Sequence, residues 1–282
     1  MEAFYHVEPV SERLLAIKSL NGEFVYLILG DSCALLIDTC VGVGNLRKFV
    51  ENLTDLPITV ALTHGHIDHA MGAPEFENVY LNPTDIPIYQ RQCSKEERMG
   101  YLIAGLGDEL AQMFEHTLVD AAPDYLFKDL EDGQIFDLGG IRVSAYAFPG
   151  HTPGMMAFLI EEEEILILGD ACNNSTFLFD DDTVPVETYQ KAVCKAQLLF
   201  KGRFKKIFIS HHEMQVDINI MSNMIDVCQD IMDDTADDLP FHFMGMDAVI
   251  AKECDKTFHR TDGKDGNLIY RKDKIFAKED FK

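Results

Sequence analysis

The sequence predicts an α/β fold, and two observations carry that expectation. Short apolar runs of strand length alternate with stretches of helical spacing. Four of the apolar runs end at a residue able to ligate a metal, at 62–64, 148–151, 168–170 and 209–211. Loops beyond strand ends are where α/β folds collect functional groups. No convincing sequence repeat underlies the recurrence.

The elements follow in order. Phe24–Leu29 (FVYLIL) and Ala34–Ile37 (ALLI) flank a Gly-Asp-Ser turn and read as a hairpin, with Asp38 ending the second run. A helix is expected over 42–53 and a buried strand over Ile58–Leu62 (ITVAL). Residues 83–130 mix proline, charge and helical periodicity, with helices expected near 94–99 and 108–116. They carry no ligand-rich motif, and read as an inserted cap or lid or as a peripheral helical layer. Strands return at Gln134–Leu138 and Ile141–Phe148, then at Met156–Ile160 and Ile165–Leu168 around the acidic run Glu161–Glu164. Tyr189, Val193, Ala196 and Leu199 give residues 187–200 helical spacing. Ile207–Ile209 is a strand ending at Ser210-His211-His212, and Ile218, Met221, Ile225, Cys228 and Met232 mark a last long helix. Its methionines read as core. The expected organisation is a main domain over 1–232, interrupted by the 83–130 insertion, and a C-terminal extension over 233–282 with a strand pair around Gly263–Gly266 and Asn267–Ile275.

Composition narrows the function. At 282 residues and 47% hydrophobic content, the chain can fill a sizeable core. No run approaches the ~20 apolar residues of a membrane span, and the N-terminus lacks the basic start and apolar stretch of a signal peptide. Seven scattered cysteines, odd in number and without CxxC, suggest neither a disulfide framework nor a cysteine-built zinc site. A reducing cytoplasm is the expectation. With 48 acidic against 24 basic residues the formal charge is −24, which on average repels nucleic acids and anionic membranes.

Residues 63–69 read Thr-His-Gly-His-Ile-Asp-His, placing three of the ten histidines and one aspartate within six residues. Imidazoles cost free energy to bury unless each finds a partner, and four polar groups this close compete for the same few. A metal ion removes the difficulty, since neutral imidazole and carboxylate are its natural ligands. His64 and His66 alternate, so in an extended loop they point to one side, while Asp68 and His69 face a second position. That pattern predicts two metals. Asp170 is a carboxylate able to bridge two cations.

His64-x-His66-x-Asp68-His69, then Gly-His151-Thr-Pro-Gly, Gly169-Asp170 and a strand-terminal His211, with Asp38 after an early strand, resemble the motifs of the metallo-β-lactamase-fold superfamily in order and context. The resemblance covers roughly 20–212 outside the insertion. It implies a four-layer αββα sandwich with a binuclear site on one edge. Carried over motif by motif, His64, His66 and His151 would hold the first metal, and Asp68, His69 and His211 the second. Asp170 would bridge them and Asp38 would orient the metal loop. Strand register favours His211 over its neighbour His212, which would lie behind the ligands or at the surface. Met155 stands where many relatives have Ser, which touches no ligand.

Zinc is the default for a nitrogen and oxygen site with open positions, and the absence of cysteine ligands also admits iron or manganese. Within the superfamily, the diiron redox members typically carry an acidic residue where this chain has His66, and nucleases need a basic face. What remains is hydrolysis of a small thioester, ester, lactone or amide. A hydroxide bridging the metals would attack the carbonyl, with Asp68 and Asp170 anchoring the catalytic second metal. The alternatives are a phosphodiesterase acting on a small phosphodiester and a non-catalytic metal-binding protein. The expected partner is a small-molecule substrate, in a pocket roofed by 83–130 and edged by 172–188, with Asn173, Phe177 and Phe179 as candidate substrate contacts.

Overall fold

Strands apolar at every position must bury both faces, and this chain has several: FVYLIL, ALLI, MAFLI and ILILG. A single sheet with one covered face cannot accommodate them. The computed structural model, which describes residues 3–243 and 245–277, meets the demand by stacking two sheets and covering the outer face of each with helices.

The first sheet runs in chain order: β1 (Tyr5–Pro9), β2 (Leu14–Ser19), β3 (Phe24–Leu29), β4 (Ala34–Ile37), β5 (Ile58–Ala61), β6 (Val79–Leu81) and β7 (Lys128–Asp129). Pairing is antiparallel through β4 and parallel from β4 to β7. Between these strands lie α1 (Leu46–Glu51), α2 (Ile67–Ala70), α3 (Ile86–Gln92), α4 (Lys95–Leu106) and α5 (Asp108–Phe114). The chain then forms β8 (Ile135–Asp137), β9 (Arg142–Ala147), β10 (Met156–Ile160) and β11 (Ile165–Gly169) and leaves the sheet for β12 (Thr176–Leu178). After α6 (Val186–Phe200) it returns as β13 (Lys206–Ile209) and β14 (Gln215–Val216), giving the order β14-β13-β11-β10-β9-β8. α7 (Ile220–Met232), β15 (Leu239–Phe243), β16 (Met246–Ile250) and β17 (Leu268–Tyr270) complete the chain.

The period-two alternation of side chains sorts them into three cores. Leu35 and Ile37 of β4 meet Met156, Phe158 and Ile160 of β10 between the sheets. Ala34 and Leu36 face the other way, into a core closed by Leu46, Leu102, Ala111 and Phe114 of α1, α4 and α5. Ala157 and Leu159 of β10 face Tyr189, Val193, Met224 and Val227 of α6 and α7. Helices, sheet, sheet, helices is the four-layer αββα order.

Several local expectations change. The helix expected from residue 42 begins only at Leu46, because Gly42, Gly44 and Asn45 all take positive φ, which an α-helix cannot contain. β1 (YHVEP) and β2 (LLAIKS) were not among the expected strands. The strand pair expected around 263–275 is instead the single strand β17, whose partners come from far away: β12 in parallel and β16 antiparallel. β12, β17, β16 and β15 thus make a third sheet shared between 176–178 and the C-terminal residues. Among the described residues no helix is long and apolar enough to cross a membrane.

Candidate metal centre

Parallel neighbours end at the same edge of a sheet, and this brings distant residues together. β4 and β5 are parallel, so Asp38 and the Thr63–His69 loop leave the first sheet side by side. β11 and β13 are parallel in the second sheet, so Asp170 and His211 leave it side by side. His151 enters from the β9–β10 connection. All seven candidate ligands converge, in two groups whose ligand atoms lie within 4.8 Å of one another: His64, His66 and His151, and Asp68, His69, Asp170 and His211.

In the first group each outer hydrogen bond fixes which nitrogen faces inward. His64 Nδ1 pairs with Thr63 Oγ1 at 2.9 Å, leaving a buried Nε2 with no partner. His151 Nδ1 donates to the Phe177 carbonyl at 2.8 Å, so its Nε2 turns inward and meets His66 Nδ1 at 2.9 Å. Burial lowers His64 well below the ordinary imidazole range and His66 to about 3, so their lone pairs are free at neutral pH. The unpartnered His64 Nε2 beside the close His66 Nδ1–His151 Nε2 pair makes a set of imidazole nitrogens that suits a divalent cation.

In the second group His69 Nδ1 donates to Asp38 Oδ2 at 2.8 Å and its Nε2 lies 3.2 Å from His211 Nε2. Asp170 Oδ2 is 3.1 Å from His211 Nε2, 3.4 Å from His69 Nε2 and 3.8 Å from His151 Nε2, so it borders both groups. Asp68 Oδ2 is 3.3 Å from His211 Nε2. Burial opposes charge here, yet Asp68, Asp38 and Asp170 hold His69 well above its usual range, and Asp170 and Asp68 raise His211 to about 10. The carboxylates of Asp68 and Asp170 are pushed down by the same imidazoles, against the effect of burial. Two closely placed carboxylates, Asp170 buried and Asp68 half-buried, demand positive charge, from protons on the histidines or from a metal. Two ligand atoms each ~2.1 Å from one tetrahedral zinc stand roughly 3.4 Å apart, which matches these separations. The residues therefore fit a metal in each group.

The surrounding partners hold the ligands in place. Asp38, at φ 67°, accepts from Thr63 N at 2.7 Å and from the Thr63 hydroxyl as well as from His69. His212 lies outside the cluster, at φ 65° on the rim of the cavity described below, with Nε2 3.4 Å from Ser175 Oγ. Asp85 was not anticipated. It is fully buried beyond β6 and accepts from Gly65 N (3.1 Å), the Thr152 hydroxyl (2.6 Å) and Gly154 N (2.7 Å). One carboxylate thus ties the His64–His66 loop to the His151 loop. The approach is close enough to require glycine: a Cβ at Gly65 would meet the Asp85 carbonyl oxygen at 2.5 Å and one at Gly154 would meet Asp85 Oδ1 at 2.6 Å. The available signal was Asn-Pro-Thr-Asp directly after a strand parallel to β5. Tyr101 was missed too; its hydroxyl sits 2.6 Å from buried Glu23 Oε1 and 3.2 Å from Asp68 Oδ2.

The cluster floors a cavity of about 540 Å³. Asn173, Phe177 and Phe179 all line it. Asn173 also donates to Asp170 Oδ1 at 3.3 Å and accepts from Ser175 N at 2.7 Å. The 83–130 segment contributes Gln92 and Tyr101 to the lining, while its helices pack as the outer layer of the first sheet. Much of the remaining wall comes from Phe241, Phe243, Met246 and Phe258, in the C-terminal extension.

A family model described as the metallo-beta-lactamase superfamily matches residues 20–211. An uncharacterized protein of Mycobacterium tuberculosis is 31% identical over 143 residues, covering 49% of this chain and 61% of that one. An atrochrysone carboxyl ACP thioesterase of a Cryptosporiopsis species is 28% identical over 175 residues, covering 58% of this chain and 45% of that protein. The chain thus spans only about half to three-fifths of the length of these curated relatives. Among solved structures, a metallo-beta-lactamase from Pontibacter korlensis shares the fold with a TM-score of 0.55 at 17% identity, over 79% of this chain and 97% of that one. A sec-alkylsulfatase from a Pseudomonas species does so with a TM-score of 0.61 at 15% identity, over 82% of this chain and 42% of that one.

Proposed function

The chain belongs to the metallo-β-lactamase superfamily, and from that premise we propose that it is a binuclear metal-dependent hydrolase acting on a small thioester, or on a related ester, lactone or amide. The observation that carries the reading is the convergence of seven candidate ligand side chains in two adjoining groups, five of which (His66, Asp68, His151, Asp170 and His211) line one cavity. In this reading His64, His66 and His151 hold one divalent ion, and Asp68, His69 and His211 hold another. Asp170 lies between them. Zinc fits the nitrogen and oxygen donors, as do iron and manganese. Ions held there supply Lewis acidity toward a carbonyl oxygen and a water acidic enough to attack near neutral pH.

The chain's own residues supply positioning. Asp38 and Thr63 fix the ring planes of His69 and His64, and the Phe177 carbonyl fixes His151. Tyr101, whose phenol burial and the nearby Asp68 and Glu23 keep protonated, has one proton to share between Glu23 at 2.6 Å and Asp68 at 3.2 Å, and so ties the second group to buried Glu23. The fungal relative's name, a thioesterase, supports a carbonyl substrate. Among the described residues no Lys or Arg lines the cavity, which disfavours a phosphodiester. The free state of all seven cysteines is in keeping with a cytoplasmic setting. The main domain is taken as 1–232, with 83–130 inserted and 233–282 as an extension that completes the cavity.

The test is to strip and reload the protein with zinc, iron or manganese, then assay thioesters and phosphodiesters in parallel. Thioester turnover that disappears on stripping and returns on reloading is expected. Turnover of phosphodiesters alone would overturn the choice of bond. Inactivity of the fully loaded protein on both panels would favour a metal-binding protein without catalysis.

A further inference from the structure

The wall above the ligand cluster has an unusual composition for a cavity in so acidic a chain. Phe177 of β12 and Phe179 just beyond it face Phe241 and Phe243 of the β15–β16 hairpin, with ring centroids 5.5–6.1 Å apart for Phe177–Phe243, Phe177–Phe241 and Phe179–Phe241. Met246 and Phe258 extend the same surface. The hairpin is held in place by the third sheet: β16 pairs with β17, and β17 pairs with β12, the strand whose Phe177 carbonyl orients His151. The apolar wall and the first metal group therefore share one strand.

Apart from its histidines, the ionisable lining of the cavity is acidic. Among the described residues it holds Asp68, Asp170 and Asp180, with His66, His151, His211, His212 and His242, and no Lys or Arg. Asp68 and Asp170 are engaged by the cluster histidines, and the Asp180 carboxylate, next to Phe179, accepts among the described residues only from Asp181 N, at 2.6 Å. An anionic substituent against the phenylalanine rings would lie beside the Asp180 carboxylate, with no Lys or Arg of the described lining to pair it. A quaternary ammonium fares no better. Its recognition needs rings spread around a void, whereas the four phenylalanines pack on one another, with Phe177–Phe179 at 4.8 Å and Phe241–Phe243 at 6.3 Å. What such a wall accepts is a flat or branched apolar group, by offset or edge-on contact.

We infer that the substrate of this site carries an uncharged aromatic group on its acyl side, received by the Phe177–Phe179–Phe241–Phe243 wall while the carbonyl lies at the ligand cluster. This rests on the hydrolase reading above and specifies its substrate class. It also gives the C-terminal extension a role: its hairpin is the specificity element of a site whose ligands all lie before residue 212.

The experiment uses metal-loaded protein and thioesters of N-acetylcysteamine, which keep the leaving group constant. The acyl chains are butanoyl, 4-phenylbutanoyl, and 4-phenylbutanoyl bearing a para carboxylate or a para trimethylammonium. The substituents are remote from the carbonyl, so intrinsic reactivity is nearly equal. kcat/KM for 4-phenylbutanoyl is expected to exceed that of butanoyl and of both charged analogues by tenfold or more. In a Phe241→Ala/Phe243→Ala variant the aryl-to-butanoyl ratio should fall at least tenfold, with metal content retained. Phe243→Leu, which keeps apolar bulk, should restore part of the ratio and guards against a folding artefact. Equal or better turnover of either charged analogue, or a ratio unmoved by the double substitution, overturns the inference. A parallel titration with the 4-phenylbutanoyl ketone, methylene replacing sulfur, separates the two readings. Binding that is weakened tenfold in the double variant, with no thioester turned over, would refute the hydrolase reading and leave the aromatic pocket supported. Ketone binding indifferent to the substitutions would refute the pocket.

Discussion

Replacing Asp85 with alanine should loosen the first ligand group without touching a ligand. The carboxylate accepts three hydrogen bonds, from Gly65 N, the Thr152 hydroxyl and Gly154 N, and is itself fully buried. Bonds to an ionised acceptor contribute about 1.5–3 kcal/mol each, and a buried donor left unpaired costs about 1–3 kcal/mol. Burial pushes this carboxyl upward, which the three donors counter, so part of the gain is spent on desolvation. A net loss of about 3–5 kcal/mol follows from three such bonds less that offset, a large share of the ~5–15 kcal/mol typical of a domain. The side chains most affected are His66 and His151, whose loops the carboxylate joins. Metal affinity of that group should fall roughly 10–100-fold, as when supporting contacts behind metal ligands are removed. Asp85→Asn keeps the shape but sets an amide N–H₂ against one of three donors, so it should fall between wild type and alanine. Equilibrium denaturation and chelator competition, run on metal-loaded protein, report the two quantities. Asp85→Ala protein with unchanged denaturation midpoint and unchanged metal retention would refute the idea that this carboxylate couples the two histidine loops.

Three further outcomes follow from the site. Asp170→Ala should abolish most activity and second-group metal occupancy, whereas Asp38→Ala, acting through His69 and Thr63, should cost ~10–100-fold; wild-type metal content and rate in Asp170→Ala would contradict its place between the groups. His211→Ala should empty the second group while His212→Ala largely retains metal, since only His211 Nε2 lies among the carboxylate oxygens; elemental analysis of the two variants decides this. In metal-stripped protein the histidines act in opposite directions about the unfolded value of ~6.5. His69 and His211 are raised, so their contribution is complete below ~6.5 and is lost as pH climbs toward the His211 value of about 10. His64 and His66 are depressed, so acidification below ~6.5 protonates the unfolded chain preferentially and also destabilises the fold. Stability of the stripped protein should peak near neutrality and decline on both sides; a flat profile from ~6.5 to 10 would contradict the charge pairing assigned to His69 and His211.

The most legible part of the site is the part that is contiguous. His64, His66, Asp68 and His69 lie on one short loop, so chain geometry alone places their side chains close together. His151, Asp170 and His211 were legible for a related reason: each sits in a short motif just beyond the end of a strand-length run, β9, β11 and β13 respectively. Helix α6 and helix α7 were likewise written in their periodicity.

Asp85, Tyr101 and the aromatic wall are different in kind. A lone Asp, Tyr or Phe has no local signature, and its role depends on which distant backbone it meets. Asp85 matters because β6 lies parallel to β5 and ends at the same edge. Phe241 and Phe243 face Phe177 because β12 and β17, more than ninety positions apart, pair in parallel and carry the hairpin with them. The sequence by itself therefore determined the candidate ligands and the α/β layering, since both are set by local spacing and burial period. What surrounds the ligands, and hence what the cavity accepts, was decided by strand pairing across the whole chain, where the energy lies in contacts that no short window of residues contains.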